Sequence, residues 1–188
     1  MTTGLKGLWW WLCRRRVDVG PDDVALDYAR GQVRTSLVLA GLVVVEAVAV
    51  GLLVRWPWLH VLDAIALGAV LSAAAGLAVH PHVVGREALL LRDGGRFAVR
   101  VPLDAIASVR AHWRSHTGKP RHVDGDELVL SVGNQTDVHL VLTRPLEVRR
   151  PAGTVTRISF RAEDPDTAAA AIRAALNRFG RSSSTIVQ

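Results

Sequence analysis

The chain has 188 residues, room for one ordinary domain plus an anchor or for two small domains. Its formal net charge of +6 divides as +2 over residues 1–35, −1 over 36–79 and +5 over 80–188, and a basic excess on both sides of an apolar block points to anionic lipid ahead of nucleic acid. The single cysteine, Cys13, excludes an intramolecular disulfide and a Cys-based zinc cluster, and it fits a reducing interior.

Residues 1–35 read as a cytoplasmic N-terminal segment. "GLKGLWWWLCRRR" sets Trp9, Trp10 and Trp11 beside Arg14, Arg15 and Arg16. On a helix, three consecutive rings fan over about 200° and cannot share a narrow core stripe. They suit the headgroup zone, with the indoles in the boundary and the guanidinium groups on lipid phosphates. The apolar patch is too short for a cleavable signal peptide and runs straight into arginines. "PDDVALDYARGQVR" predicts a helix starting at Pro21, with Asp22 and Asp23 at the positive end of its dipole, continuing into the apolar block.

Residues 36–79 predict a transmembrane hairpin of two spans, 36–54 and 58–79. At 1.5 Å per residue these reach roughly 28 and 33 Å, the thickness of a bilayer's hydrocarbon layer. Pro57 stops the first span, and Trp56 and Trp58 suit the water–lipid boundary. Six basic residues precede the block and only Arg55 lies in the turn. That bias predicts an inner-membrane protein with both termini cytoplasmic. Ala64, Gly68, Ser72 and Gly76 recur every fourth residue and offer a groove for a second helix backbone. Asp63, five residues past Trp58, can reach the outer boundary. Glu46 has no such exit, so either it stays protonated through desolvation or it meets another subunit or membrane protein.

From residue 83 the pattern turns strand-like. "ALLLRDGGRFAVRV" is a hairpin signal around Asp93-Gly94-Gly95. "ASVRAHWR" alternates, with Val109, Ala111 and Trp113 on one face and Arg110, His112 and Arg114 on the other. "SHTGKPRHVDGD" reads as a polar loop, and "ELVLSV", "DVHLVL", "LEVRR" and "TVTRISF" complete seven short strands. "DPDTAAAAIRAALNRFG" predicts a closing helix capped by Asp164, with Ala168, Ile172, Leu176 and Phe179 on its apolar face and Gly180 at its end. Residues 181–188 read as a disordered tail.

The fold class is therefore α+β: a two-helix transmembrane hairpin, then a β domain over 83–180. This layout, together with "GREALLLRDGGRFAVRVPLDAIASVR" from Gly85 to Arg110, resembles the bacterial pleckstrin-homology-like membrane proteins. The resemblance implies a seven-stranded barrel or sandwich closed by a C-terminal helix, and it implies architecture more than activity. Phosphoinositide-binding relatives of that fold carry a Lys and closely spaced basic residues across the first hairpin. Here the hairpin offers Arg92, Arg96 and Arg100 without a Lys, which leaves at most a general affinity for anionic headgroups.

No enzymatic constellation stands out. "HPH" and "HWRSH" are the only close histidine pairs, short of the three or four convergent ligands a metal needs, and no cofactor is expected. "DGG" is turn chemistry without the Lys-Ser/Thr of a phosphate loop. The leading expectation is a non-enzymatic membrane protein whose β domain binds a protein partner or anionic headgroups through Arg110, His112, Arg114, Lys119 and Arg121. Its spans would pair with another membrane protein or with a second copy. The alternative is a small subunit of a transport or proton-handling complex using Glu46. Nucleic acid is disfavoured, because the β domain shows neither a recognition helix nor an aromatic-rich strand face.

Overall fold

A computed structural model of the chain describes residues 9–13, 19–53 and 56–184, with side chains as far as 181. Its elements are β1 (Val24–Leu26), α1 (Arg30–Leu53), α2 (Pro57–Val79), β2 (His82–Val84), β3 (Ala88–Asp93), β4 (Phe97–Pro102), a 3-10 turn (Leu103–Ala105), β5 (Ile106–Ser115), β6 (Arg121–Asp124), β7 (Glu127–Leu130), β8 (Gln135–Arg149), β9 (Ala152–Phe160) and α3 (Pro165–Ser184). Residues 9–12 add one helical turn ahead of β1.

Both apolar runs form helices long and apolar enough to cross a membrane, and only 6% and 11% of their apolar stretches is buried inside the molecule. A soluble protein's core helices would be mostly covered. Here Val38, Leu42, Val45, Val48, Leu52 and Ile65 all stand exposed. Each such side chain left in water forfeits roughly 1.5–3 kcal/mol of burial, so lipid is the solvent that suits this surface. The hairpin closes where the His60 ring lies over Gly51, a Cβ on which would come within 2.6 Å of the imidazole.

The hairpin does not precede the β domain; it is spliced into it. Val24, Ala25 and Leu26, expected to be helical, form an antiparallel strand with β2, pairing Val24 with Val84 and Leu26 with His82. The expected capping acids have other duties: Asp22 pairs with Arg86 at 2.5 Å, and Asp23 accepts the Gly20 N–H at 2.9 Å. The first helix thus starts at Arg30, and one strand of the β domain lies within the segment read as a separate N-terminal unit.

The strands form two sheets, β1-β2-β3-β4 and β5-β8-β9-β7-β6, not a closed barrel. Nine strands replace the expected seven. β1 and β2 are new, β6 occupies the expected polar loop, and "DVHLVL" and "LEVRR" are one strand, β8. The inward faces supply Leu89, Leu91, Leu128, Leu140, Ile158 and Phe160, all at most 1% exposed. α3 seals this core with Ala168 and Ile172, while Leu176 and Phe179 pack at its margin. Its start is as expected, the Asp164 carboxylate accepting the Thr167 N–H at 3.0 Å, but it runs past Gly180 to Ser184. Residues 185–188 lie outside the described residues.

One ring stack joins hairpin and core. Tyr28, two residues before α1, stacks on His82, three residues after α2, at 4.3 Å, and His82 meets the Phe160 ring edge-on at 5.2 Å. His82 Nε2–H donates to the Arg161 carbonyl at 3.1 Å, and Nδ1 accepts the Arg92 N–H at 3.0 Å. Only the neutral imidazole satisfies both bonds. Burial, opposed by the Arg161 bond, pushes its pKa down to about 3. Since the folded value lies below the unfolded value of about 6.5, this contribution is complete above that pH. It is lost at up to about 1.4 kcal/mol per pH unit as pH falls towards 3. His82→Phe should cost roughly 2–4 kcal/mol at pH 8, through two unsatisfied backbone groups. The gap between wild type and variant should narrow below pH 6, as denaturant unfolding of the micelle-bound chain followed by near-UV circular dichroism would record.

Candidate functional site

The outward face of the five-stranded sheet carries most of the polar chemistry. Strand register sets Arg110, His139, Ser159, Val129 and His122 side by side across β5, β8, β9, β7 and β6. Beside this row, Glu127 is bonded by the Ser159 hydroxyl and, at 3.3 Å, by Arg114 Nη1. His139 Nδ1 lies 2.6 Å from the same hydroxyl, and His139 Nε2–H donates to the His112 carbonyl at 2.8 Å. Four strands are tied together at one point.

Ser159 is only 1% exposed and stands between carboxylate and imidazole. In a nucleophilic triad the imidazole occupies the middle.

Of the residues expected to form a binding surface, Arg110, His112, Arg114 and Lys119 are exposed. Arg114 is engaged by Glu127. Arg121 is half-buried, paired with Asp93 at 3.0 Å and lying over the Phe97 ring, which withdraws it from that surface. Trp113, expected on the inward side with Val109, is instead 59% exposed. A register shift between Ala111 and Arg114 breaks the alternation there. His116 bonds Thr136 at 2.7 Å, and partial burial holds its imidazole below the usual range. Among the described residues no group of three His, Cys, Asp or Glu could hold a metal ion.

In the hairpin, Asp63 and Ala64 line a cleft of about 400 Å³ facing Ala47 and Gly51 of α1, with His60 at its mouth. Glu46 is exposed and lies roughly 140° around α1 from that cleft at 100° per residue. It makes no hydrogen bond or ion pair among the described residues. The four-residue stripe drifts around α2. Gly68 has open space where a Cβ would stand, Ser72 is half-buried, and the Gly76 carbonyl meets the β3–β4 turn at Gly94. That turn is fixed by the Gly94 N–H donating to the Tyr28 hydroxyl at 2.7 Å, and burial pushes this phenol up to about 12. Trp9 is exposed and Trp10 and Trp11 half-buried on their helical turn, while Arg14, Arg15 and Arg16 lie outside the described residues.

Tyr28, His82, Glu127, His139 and Ser159 were not singled out as a site, for they share no local motif. The available signals were slight: the chain's only tyrosine, and a histidine at an outward position of "DVHLVL". Comparison with protein families, curated proteins and solved structures finds no match to this chain.

Proposed function

We propose that the chain is a non-enzymatic, two-span inner-membrane protein whose β domain is a binding and assembly module for a protein partner on the cytoplasmic side. The observation that carries this reading is the splice. Both membrane helices leave and re-enter through adjacent strands, so the module is held at a fixed attitude beneath the bilayer instead of hanging on a linker. β5 and the loop after it then offer Trp113, an exposed aromatic of the kind that anchors interfaces, with Arg110, His112 and Lys119 exposed on the same stretch. Such a face suits an acidic partner. The indoles and arginines of the N-terminal segment contribute a general attraction to anionic headgroups. Glu46, turned away from the hairpin's own partner helix, supports contact with a neighbouring membrane protein or a second copy.

Three results follow from this reading. Alkaline carbonate should leave the full-length chain in the membrane pellet. A photo-crosslinker at position 113 should capture one defined partner, and Arg110→Glu should weaken that capture by roughly tenfold, the effect of a like-charge contact at an interface rim. Glu46→Leu should abolish crosslinks within the membrane while leaving the capture at position 113 intact. Retention of those intramembrane crosslinks would remove the role given to Glu46.

A further inference from the structure

A cleft of about 690 Å³ opens between the domain-side ends of α1 and α2. Val33 of α1 and Leu77, Ala78 and Val79 of α2 line it, together with Trp11. Its charged lining is Asp27, Arg30, Arg34 and Glu163, two cations and two anions. Asp27 and Arg30 are joined at 2.8 Å. Arg34 and Glu163 are both exposed, and neither is bonded to the other nor to another side chain among the described residues. Glu163 lies in the field of Arg30 without a bond to it, so the cleft presents one open cation and one carboxylate with free hydrogen-bonding capacity against an apolar wall. Its location is fixed by backbone, since the Glu163 N–H donates to the Asp27 carbonyl at 2.8 Å.

We propose that this cleft holds one phospholipid of the surrounding leaflet with a zwitterionic amine headgroup. Arg34 binds its phosphate and Glu163 its ammonium. The inference rests on the membrane reading of the hairpin and goes beyond a general attraction to negative lipid. An anionic headgroup would satisfy Arg34 but leave Glu163 facing like charge, and a simple cation would leave Arg34 unmatched. A zwitterion places one charge on each, forming charge-assisted hydrogen bonds at both ends. Depth fits as well. Arg34 lies one turn inside α1 and Val79 ends α2, so the cleft sits where headgroups meet the hydrocarbon, and an indole belongs at that level. The volume lies within the usual range for small-molecule sites. From the cleft the acyl chains continue along exposed apolar residues such as Leu37 and Val38.

The test uses the full chain in nanodiscs made from equal parts of phosphatidylethanolamine, phosphatidylglycerol and phosphatidylcholine. Lipid retained after release is identified by native mass spectrometry. The expected result is one retained phosphatidylethanolamine, favoured over phosphatidylglycerol by roughly fivefold, the effect of about one ordinary net hydrogen bond at an exposed site. It is also favoured over phosphatidylcholine, whose quaternary ammonium has no N–H to give the carboxylate. Glu163→Gln should bring phosphatidylethanolamine and phosphatidylglycerol level, and Arg34→Gln should reduce retention of all three. Equal retention by the wild type, preference for phosphatidylglycerol, or an unchanged preference in Glu163→Gln would overturn the proposal. The wild-type comparison needs no variant to fold. Failure of the membrane reading would appear separately, as a chain extracted by alkaline carbonate.

Discussion

The stack of Tyr28 on His82, wedged against Phe160, is the contact on which the rest of the molecule depends. It ties the residues flanking both membrane helices to the centre of the β domain. Only Asp27, Tyr28 and Ala29 separate β1 from α1, and only His80 and Pro81 separate α2 from β2. These residues are themselves held: the Asp27 carbonyl by Glu163, Ala29 by burial, and His80 through Nδ1–H donating to the Gly76 carbonyl at 2.9 Å. A domain joined to the two apolar helices in this way cannot swing freely relative to them. The direction in which its outward sheet face points is set by the fold, together with the helix axes.

That rigidity changes how the chain's positive charge should be understood. Many of its arginines are committed within the domain: Arg86 to Asp22, Arg100 to Glu87, Arg144 to Asp104, and Arg157 to Asp126. Exposed pairs like these contribute little stability each, about 0–1 kcal/mol, but each places a carboxylate beside the guanidinium and lowers the net charge of that patch. The first β hairpin illustrates the effect. Arg92 is buried and Arg100 is paired, which leaves Arg96 as the open arginine of the three that the sequence offered for headgroup contact. Net charge is a property of the whole chain, while the pairing pattern decides which faces carry it.

How much of this was legible depended on the range of the interactions involved. The two apolar helices and α3 announce themselves because their signals are local: composition over some twenty residues, or a cap and a stripe. β1 was illegible because it has three residues and its partner strand lies beyond the hairpin. Nothing near "VAL" separates a short strand from the first turn of a helix, and Pro21 with two aspartates imitates a helix start. β8 was divided in two because Pro145 reads as a breaker. The strand survives by shifting register between Val141 and Leu146, where the proline need not donate to the ladder. Trp113 was placed on the wrong side for a related reason, a bulge that period-2 counting does not foresee. The Glu127–His139–Ser159 network was hidden more deeply, because its members come from three strands and meet only through register.

The splice also constrains the helices, and this constraint explains a feature that composition alone would leave arbitrary. β1 and β2 are hydrogen-bonded neighbours, so the chain must return from the helical hairpin to within one strand spacing, about 4.8 Å, of where it left. α1 has 24 residues and α2 has 23, roughly 36 and 35 Å at 1.5 Å per residue. Had the two arms differed by a full turn, the shorter one would have ended more than 5 Å from the level of the sheet. The short connections, Asp27–Ala29 and His80–Pro81, would then have had to stretch to keep Leu26 paired with His82 and the ring stack in place. Equal arms bring Tyr28 and His82 to the same height, so helix length, strand register and the buried histidine form one mechanical unit.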